Sequence, residues 1–448
     1  MLKRVWATAV ATGSILVLIS GTAVAAPSPG SDGAGDPLFP QDGNGGYRVS
    51  HYDVALDYDP AKPDHLTGDT AADAVATQDL SRFDLDLEGL TVQSVTVAGA
   101  PAAFTCTGEH ELVITPAKPL RRGQSFRVRV RYQGTPGFFW MTADDAGAVH
   151  AFGEPHSASS WYPVNDHPSD KATFHLAVTM PDRPGWAVVG NGVPAPPVVR
   201  DGRKTFSWTE NHPVASYLTG VVIDRMTVHT GHLADGTPVV DAYTTGAEAA
   251  KPFEDRLPEV LGFLSSRFGK YPFSAAGGVF YPGGTGGGFE MQERPVYPGG
   301  VPPEQFTDIV HEQAHQWFGD SVAVARWSDI CLKECFATYA DGCGGRRRRA
   351  TTSTPTTAPR SPAPARTSGR SRSRTRVPAS TAAPTPSARS CCTRCAAPSA
   401  TPCSSGPCVI SSRSTATPTP PGPTSSTSRP RSTATTSPAS SPRGPTAP

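Results

Sequence analysis

Hydrophobic and polar residues alternate in several stretches of the first half of the chain, separated by Gly and Pro clusters. The apolar positions of three such stretches are Tyr52, Val54, Leu56 and Tyr58; Phe126, Val128, Val130 and Tyr132; and Phe174, Leu176, Val178 and Met180. A period of two is that of a strand with one buried face. The pattern predicts an antiparallel β-sandwich domain over residues 46–224.

The pattern changes after residue 225 to mixed helix and strand. Residues 252–268 have helical spacing, with one apolar side formed by Leu257, Val260, Leu261 and Leu264. Residues 277–281 read as a strand, and a glycine-rich loop at 283–288 follows. A second helix is predicted to begin near Pro302 and Pro303, because proline is tolerated in a first helical turn.

This second helix contains the pattern His-Glu-x-x-His at His311, Glu312 and His315. Positions i and i+4 share one helix face, so both imidazoles point to one place. The apolar neighbours of these residues predict that the helix is buried. The alternative is a solvent-exposed helix face that carries two His and one Glu by chance. Gly319 is the expected C-cap.

A third metal ligand is available in Glu334, which is separated from His315 by eighteen residues and lies in a helical stretch over 327–340. Zn²⁺ binds neutral His nitrogens and carboxylate oxygens, and three protein ligands leave a position open for water. Glu312 is placed to take a proton from that water and pass it to a leaving amine. We therefore expect one Zn²⁺ ion, with His311, His315 and Glu334 as ligands and Glu312 as the catalytic base.

The N-terminus resembles a secretory signal. Lys3 and Arg4 precede an apolar run, and Ala23-Val24-Ala25 is a small-residue cleavage site. The alternative is a membrane anchor, but the apolar run is short for a span. We predict cleavage after Ala25, a secreted protein without stable membrane insertion, and a flexible linker over 26–45.

Residues 341–448 differ in composition from everything before them. They contain sixteen Arg, one acidic residue, and no Leu, Phe, Tyr, Trp, Met or Lys. So few apolar residues cannot offset the entropy lost on ordering, and this predicts a disordered tail. Six of the nine cysteines also lie there, whereas only Cys106 precedes residue 330. A disulfide framework would instead be spread through the folded part.

Three motifs in order resemble the aminopeptidase N family of zinc exopeptidases. They are the stretch around Trp161–Pro168, the segment Gly287-Gly288-Phe289-Glu290-Met291, and the metal helix with Glu334. The resemblance covers about Tyr47 to Ala340. It implies a thermolysin-like α+β catalytic domain over 225–340 and removal of N-terminal residues from peptides by metal-activated water.

The resemblance also implies substrate-binding roles for Glu290, Glu154, Gly287 and Gly288. Carboxylates at Glu290 and Glu154 would hold the ammonium of a peptide with a free N-terminus, since charged donors and acceptors form strong, directional bonds. Internal peptide segments lack that ammonium and would be excluded. A thermolysin-like endopeptidase shares the zinc motif, but Glu290 in its glycine loop argues against it.

The chain departs from the family pattern near the third ligand. The family's Trp-Leu-Asn-Glu-Gly-Phe-Ala is replaced by Cys331-Leu-Lys333-Glu334-Cys335-Phe-Ala. The family's downstream oxyanion-stabilising Tyr has no counterpart, because no Tyr follows Tyr339. We therefore expect an incomplete catalytic domain and impaired activity; the alternative is a catalytically inactive exported β-domain remnant that binds zinc or peptide.

The tail has three candidate origins. Its Arg, Ala, Pro, Ser and Thr bias favours a frame-shifted reading of a GC-rich gene, which resequencing would test. A wall-spanning stalk is the second origin. A nucleic-acid-binding arm ranks third for an exported chain, so no nucleic-acid partner is expected. The sequence leaves the preferred N-terminal residue and the oligomeric state open.

Overall fold

Three β-sheets carry most of the chain that the computed structural model describes, namely residues 26–283, 287–298 and 306–352. The strands in these ranges are β1 (Ser28–Pro29), β2 (Tyr47–Tyr58), β3 (Leu66–Ala76), β4 (Leu80–Asp86), β5 (Thr91–Val97), β6 (Ala100–Pro101), β7 (Ala103–Thr107), β8 (Glu111–Thr115), β9 (Ser125–Gly134), β10 (Trp140–Thr142), β11 (Val149–Ala151), β12 (Ala172–Pro181), β13 (Trp186–Gly190), β14 (Val193–Arg200), β15 (Arg203–Val214), β16 (Val221–His232), β17 (Pro238–Thr244), β18 (Ala276–Tyr281) and β19 (Val296–Pro298). The α-helices are α1 (Lys251–Glu254), α2 (Leu257–Phe268), α3 (Phe306–His315) and α4 (Cys331–Thr352).

The largest sheet has eight strands in the order β14-β15-β12-β2-β3-β9-β5-β6. Its central strands confirm the predicted alternation, because the apolar positions of β2, β9 and β12 are buried and most residues between them are exposed or half-buried. One pairing differs from the antiparallel expectation: β12 runs parallel to β2, with Leu176 opposite Val54. The long connection through β3 to β11 allows this crossover.

A four-stranded sheet, β1-β4-β8-β7, adds to this β-rich part, with β1 parallel to β4. A seven-stranded sheet in the order β10-β11-β16-β17-β18-β19, with β13 also paired to β16, continues toward the metal helix. Strand β16 joins the two predicted domains: residues 221–223 pair with β11 and β13, and residues 226–232 pair with β17. The predicted boundary at residue 224 therefore lies inside a strand rather than in a linker.

The helices pack on the β17–β19 side of this sheet. Leu257, Val260, Leu261 and Leu264 of α2 are buried with Ile309, Val310 and Ala314 of α3 in one apolar cluster. The predicted helix over 252–268 is present as α1 and α2, which are separated by two residues, and the predicted strand is β18. The predicted start of the metal helix near Pro302 lies outside the described residues.

The expectation for Gly319 needs correction. Helix α3 ends at His315, four residues earlier. Gly319 lies in the irregular turn that comes next, in which the amide of Asp320 donates to the carbonyl of His315. Glycine is required there for a different reason. Its φ is 121°, and a Cβ would approach His315 Nδ1 to 3.2 Å and Lys333 to 3.4 Å.

Helix α4 extends to Thr352, past residue 341 where the sequence predicts the disordered tail to begin. Residues 353–448 and 1–25 lie outside the described residues, so the predicted tail beyond Thr352 and the signal peptide stay predictions. Within the described ranges, no helix combines the length and apolar character needed to cross a membrane.

Two buried glutamates meet where β15 faces the segment before β19. Glu293 Oε1 accepts the amides of Ser274 and Ala275, both at 3.0 Å. One carboxylate oxygen each of Glu210 and Glu293 and one ring nitrogen of His212 lie within 4.8 Å of one another. Burial raises the pKa of Glu210 and of Glu293 to about 7 each, and for Glu293 the charge of Glu210 adds to the effect. Near neutral pH, ionisation of Glu210 therefore disfavours ionisation of Glu293.

We predict that Glu293→Gln flattens the pH dependence of stability. The pKa of Glu293 in the folded chain lies above its unfolded value. The contribution of Glu293 to the free energy of unfolding is therefore fully present below about pH 4.5 and is lost as pH rises through about 7. Glutamine keeps the Oε1 acceptor and removes the ionisation, so the fall of up to about 3 kcal/mol between pH 5 and pH 8 should shrink. Urea unfolding at both pH values measures this.

The exposed Glu259, replaced by glutamine, is the matched control and should leave the pH dependence unchanged. An equal loss of stability with pH in the wild type and in Glu293→Gln would contradict the assignment.

Candidate active site

Helix α3 places His311, Glu312 and His315 on the side that faces α4. Its opposite face is anchored by Phe306, Ile309 and other buried apolar residues. The imidazoles of His311 and His315 lie one turn apart, with ring centroids separated by 4.9 Å. The helical spacing thus brings both rings to one place, as the sequence predicts.

Helix α4 supplies Glu334 from its first turn, and a disulfide joins Cys331 to Cys335 on the same helix. Glu334 Oε2 lies 3.4 Å from His311 Nε2, and Glu334 Oε1 lies 3.7 Å from His315 Nε2. One atom from each of the three residues lies within 4.8 Å of the others. The structure therefore assembles the predicted ligand set.

These separations fit zinc. Two ligands bound at roughly 2.0–2.1 Å in a tetrahedral arrangement lie about 3.4 Å from each other. His315 is also oriented for this role. Its Nδ1 donates to the carbonyl of Phe318 at 3.0 Å, which leaves the lone pair of Nε2 free to bind a metal ion. Burial lowers the pKa of His315, which favours the neutral, ligating form.

Glu312 lies beside the ligands in a buried position. A Cβ on Gly288 would approach Glu312 Cγ to 2.4 Å, so only glycine lets the loop lie this close to the carboxylate. Burial raises the pKa of Glu312 well above its ordinary value, and the charges of Glu290 and Glu334 raise it further. Such a carboxylate retains a proton readily, as a base that must later act as an acid requires.

Gly287 and Gly288, the described end of the glycine loop, lie against helix α3. Gly287 and Gly288 are exposed, and the Gly287 amide donates to Asp308 Oδ2 at 3.3 Å. Phe289 pairs with Val296 through two backbone hydrogen bonds, which brings Glu290 into the interior. Gly287 and Gly288 therefore lie at the surface, whereas Glu290, two residues later, is buried.

Arg294 fixes the segment that carries Glu290. Its buried guanidinium donates to the carbonyls of Val240 at 3.1 Å and Gly192 at 3.0 Å, and it also donates to Gly190. Asn191 adds a hydrogen bond to the carbonyl of Gln292 at 2.9 Å. The position of Glu290 thus depends on strands from the β-rich part.

Glu290 and Glu154 come together as the sequence predicts, but their shared partner is Lys333. Its Nζ lies 2.6 Å from Glu290 Oε1, 3.0 Å from Glu154 Oε2 and 2.6 Å from Glu334 Oε1. The Lys333 side chain is fully buried, and the ring of Tyr217 lies 5.6 Å from the ammonium. The sequence places Lys333 next to a ligand, but not in the carboxylate pocket.

These ion pairs separate the pKa values of the carboxylates. Burial raises the pKa of Glu290, but the charges of Lys333 and His315 outweigh it and leave the pKa below its ordinary value. For Glu154, burial and the charge of Glu290 prevail and raise the pKa to about 7. Burial also raises the pKa of Glu334, yet its hydrogen bond to His311 and the charge of Lys333 lower it on balance.

Among the described residues, four further groups of possible metal ligands exist; two of them share residues with the set on α3 and α4, and two lie away from it. The latter two are Asp86 with His110 and Glu111, and Glu210 with His212 and Glu293. Neither contains two imidazoles. The set on α3 and α4 is therefore the better match to the nitrogen and oxygen ligands of zinc.

Comparisons with known proteins agree with this geometry. The Peptidase M1 N-terminal domain matches residues 48–218, and the Peptidase family M1 domain matches residues 304–358. Aminopeptidase N of Acetobacter pasteurianus is 30% identical over 298 residues, which cover 58% of this chain and 79% of that protein. The chain belongs to peptidase family M1, the aminopeptidase N family.

The family relationship extends to solved structures. The crystal structure of an M1 zinc metallopeptidase from Deinococcus radiodurans is 32% identical, with a TM-score of 0.65, and covers 71% of this chain and 74% of that chain. A mutant of the same peptidase has been solved bound to a Tyr-Ser-Ala substrate. The shared fold is the M1 arrangement of a β-rich N-terminal domain followed by the zinc-peptidase domain, and it indicates a zinc cofactor.

The match is shorter for other M1 relatives. Aminopeptidase N of Streptomyces lividans is 29% identical over 215 residues, which cover 44% of this chain but 24% of that protein. The chain thus spans about a quarter of that relative.

We predict that His315→Ala abolishes stoichiometric zinc binding. Two of the three ligands then remain, and the bound zinc should fall from about one ion per chain to less than about 0.1 after dialysis. Zinc content by atomic emission measures this. A zinc-dependent rise of the thermal midpoint, equivalent to about 2.7 kcal/mol at a hundredfold excess over Kd, should disappear as well.

The matched control is Glu312→Gln, which changes a neighbouring buried side chain on α3 without removing a ligand. It should retain zinc. If His315→Ala bound as much zinc as the control, the ligand assignment would be wrong.

Proposed function

We propose that this chain is a zinc-dependent aminopeptidase of family M1 that removes N-terminal residues from peptides. The observation that carries the proposal is the juxtaposition of three groups of side chains. His311, His315 and Glu334 form a ligand set, Glu312 lies beside them, and the carboxylates of the buried Glu290 and the half-buried Glu154 lie next to the ligands. This combination suits hydrolysis of a peptide bond at a fixed distance from a charged N-terminus.

The zinc ion, when bound, supplies Lewis-acid polarisation of a carbonyl and lowers the pKa of water. His311, His315 and Glu334 would hold that single ion. Glu312 accepts the proton of the attacking water on its carboxylate and returns it to the amine that leaves. Glu312 is buried, which limits the access of bulk water to its carboxylate and keeps competing hydrogen bonds away from this proton transfer.

Glu290 and Glu154 would determine where a peptide stops. Carboxylates beside the ligand set pair with an N-terminal ammonium and offer nothing to the uncharged amide of an internal residue. Gly287 and Gly288 keep the adjacent wall free of side chains, so a peptide backbone can approach. The family role of these carboxylates makes peptides with a free N-terminus the expected partners, and the ammonium of Lys333 competes for the same two carboxylates. A peptide substrate, Tyr-Ser-Ala, is bound in a mutant of the Deinococcus peptidase.

Two features of the chain predict poor turnover. The carboxylates of the proposed amine site are paired with Lys333, and no tyrosine occurs in residues 340–448 to donate to the developing oxyanion. One positioned donor commonly contributes about 10²–10³-fold in rate. Changes next to metal ligands typically reduce affinity or activity by about 10–100-fold.

A second candidate function is binding of zinc or peptide without catalysis. The pairing of Lys333 with Glu290 and Glu154 favours it, because the amine site is occupied by the chain itself. An endopeptidase of thermolysin type is the third candidate, and cleavage in the middle of an N-acetylated peptide would identify it. Export is proposed from residues 1–25 alone.

We predict slow hydrolysis of leucine and alanine anilides that depends on Glu312. The zinc-loaded chain should turn over at less than about 1 s⁻¹, below the usual enzyme range. Glu312→Gln should reduce the residual rate by at least about 10²-fold, because it removes the proton acceptor. Release of the chromogenic aniline measures both rates.

A rate that does not differ between wild type and Glu312→Gln, with zinc bound in both, would reject catalysis at this site and favour the binding function. Turnover in the range of 1–10³ s⁻¹ would show instead that the chain compensates for the missing donor.

A further inference from the structure

We propose that Lys333 is a built-in occupant of the amine pocket, so that this chain does not select ligands by a free N-terminal ammonium. The inference rests on the proposed function insofar as Glu290 and Glu154 are the amine-binding groups. It concerns what those groups bind in this particular chain. Lys333 is thus a specificity-determining residue.

The hydrogen-bond count shows that the pocket is filled. An ammonium has three N–H donors and no acceptor. Lys333 Nζ has three carboxylate oxygens within hydrogen-bond distance, at 2.6 Å, 3.0 Å and 2.6 Å. Every donor therefore has a partner, and this is the arrangement that a substrate ammonium would require in the same place.

The charges lead to the same conclusion. The three carboxylates within hydrogen-bond distance of Lys333 Nζ belong to Glu290, Glu154 and Glu334. In Lys333→Met, Glu290 and Glu154 would lose this cation. A buried carboxylate without a partner is strongly unfavourable, so a ligand ammonium would then be attracted to the place of the lysine. In the wild-type chain the lysine ammonium already holds that place.

The Lys333 side chain is packed into the interior and is fixed by its neighbours. The Lys333 side chain is fully buried, and Glu290 retains 5% of its side-chain exposure. The lysine stem passes Gly319, where even an added Cβ would lie 3.4 Å from it, and the ammonium faces the ring of Tyr217. The amide of Lys333 donates to the carbonyl of Ile330 in the first turn of α4. A ligand cannot displace the ammonium without exposing this packed side chain.

The consequence for ligands is specific. An amino-acid amide with a free amine and its N-acetylated analogue should bind the wild-type chain with similar affinity. Removing the lysine charge should restore preference for the free amine, because Glu290 and Glu154 then lack a cation.

The test is calorimetric titration of the zinc-loaded chain with L-leucinamide and with N-acetyl-L-leucinamide. In the wild type, the two affinities should agree within about threefold, or neither ligand should bind. In Lys333→Met, which keeps the length of the side chain, L-leucinamide should bind at least about tenfold more tightly than the acetylated analogue. Lys333→Arg retains the charge and should behave as the wild type does.

Two binding results would overturn the proposal. One is a tenfold preference for L-leucinamide in the wild type. The other is a zinc-loaded Lys333→Met protein that binds both ligands equally or binds neither. Anilide hydrolysis is read separately, so loss of catalysis and loss of this selectivity pattern are distinguishable.

A measurement on the unaltered chain keeps the proposal testable if Lys333→Met does not fold. Amine-reactive acylation followed by mass spectrometry should modify exposed lysines and leave Lys333 unmodified, both without ligand and with saturating L-leucinamide. Acylation of Lys333 in the folded chain, or its appearance on adding L-leucinamide, would overturn the proposal.

Discussion

The ion cluster around Lys333 is the interaction on which the candidate site depends. Three carboxylates converge within hydrogen-bond distance of one buried ammonium. Carboxylates cannot remain ionised in such a position without a cation or several donors, since the loss of hydration outweighs any other gain. Lys333 supplies that cation from the same helical turn as Glu334. The cluster therefore joins the metal-ligand set to the amine pocket.

The cluster also connects parts of the chain that are far apart in sequence. Glu154 comes from the β-rich part, Glu290 from the segment after β18, and Glu334 from α4. Arg294 holds the Glu290 segment against the carbonyls of Gly190 and Gly192, so the β-rich part helps to position the site. Strand β16 reinforces the connection because it pairs with strands on both sides of the predicted boundary. A change in the β-rich part can thus alter the pocket without touching the ligands.

Local patterns predicted what depends on local spacing. The period of two identified β2, β9 and β12, and the i, i+4 spacing brought His311 and His315 together. Long-range placement was not readable in this way. The parallel pairing of β12 with β2 depends on a crossover connection, and the position of Lys333 Nζ depends on how α4 rotates against the Glu290 segment. A lysine directly before a predicted ligand was the available signal.

X-ray absorption at the zinc edge tests directly whether one zinc ion binds between α3 and α4. The ligand set predicts a first shell of nitrogen and oxygen ligands alone at roughly 2.0–2.2 Å, with outer-shell scattering from two imidazoles. Sulfur scattering at about 2.3 Å would contradict it, because the zinc would then be held by cysteines instead of His311, His315 and Glu334.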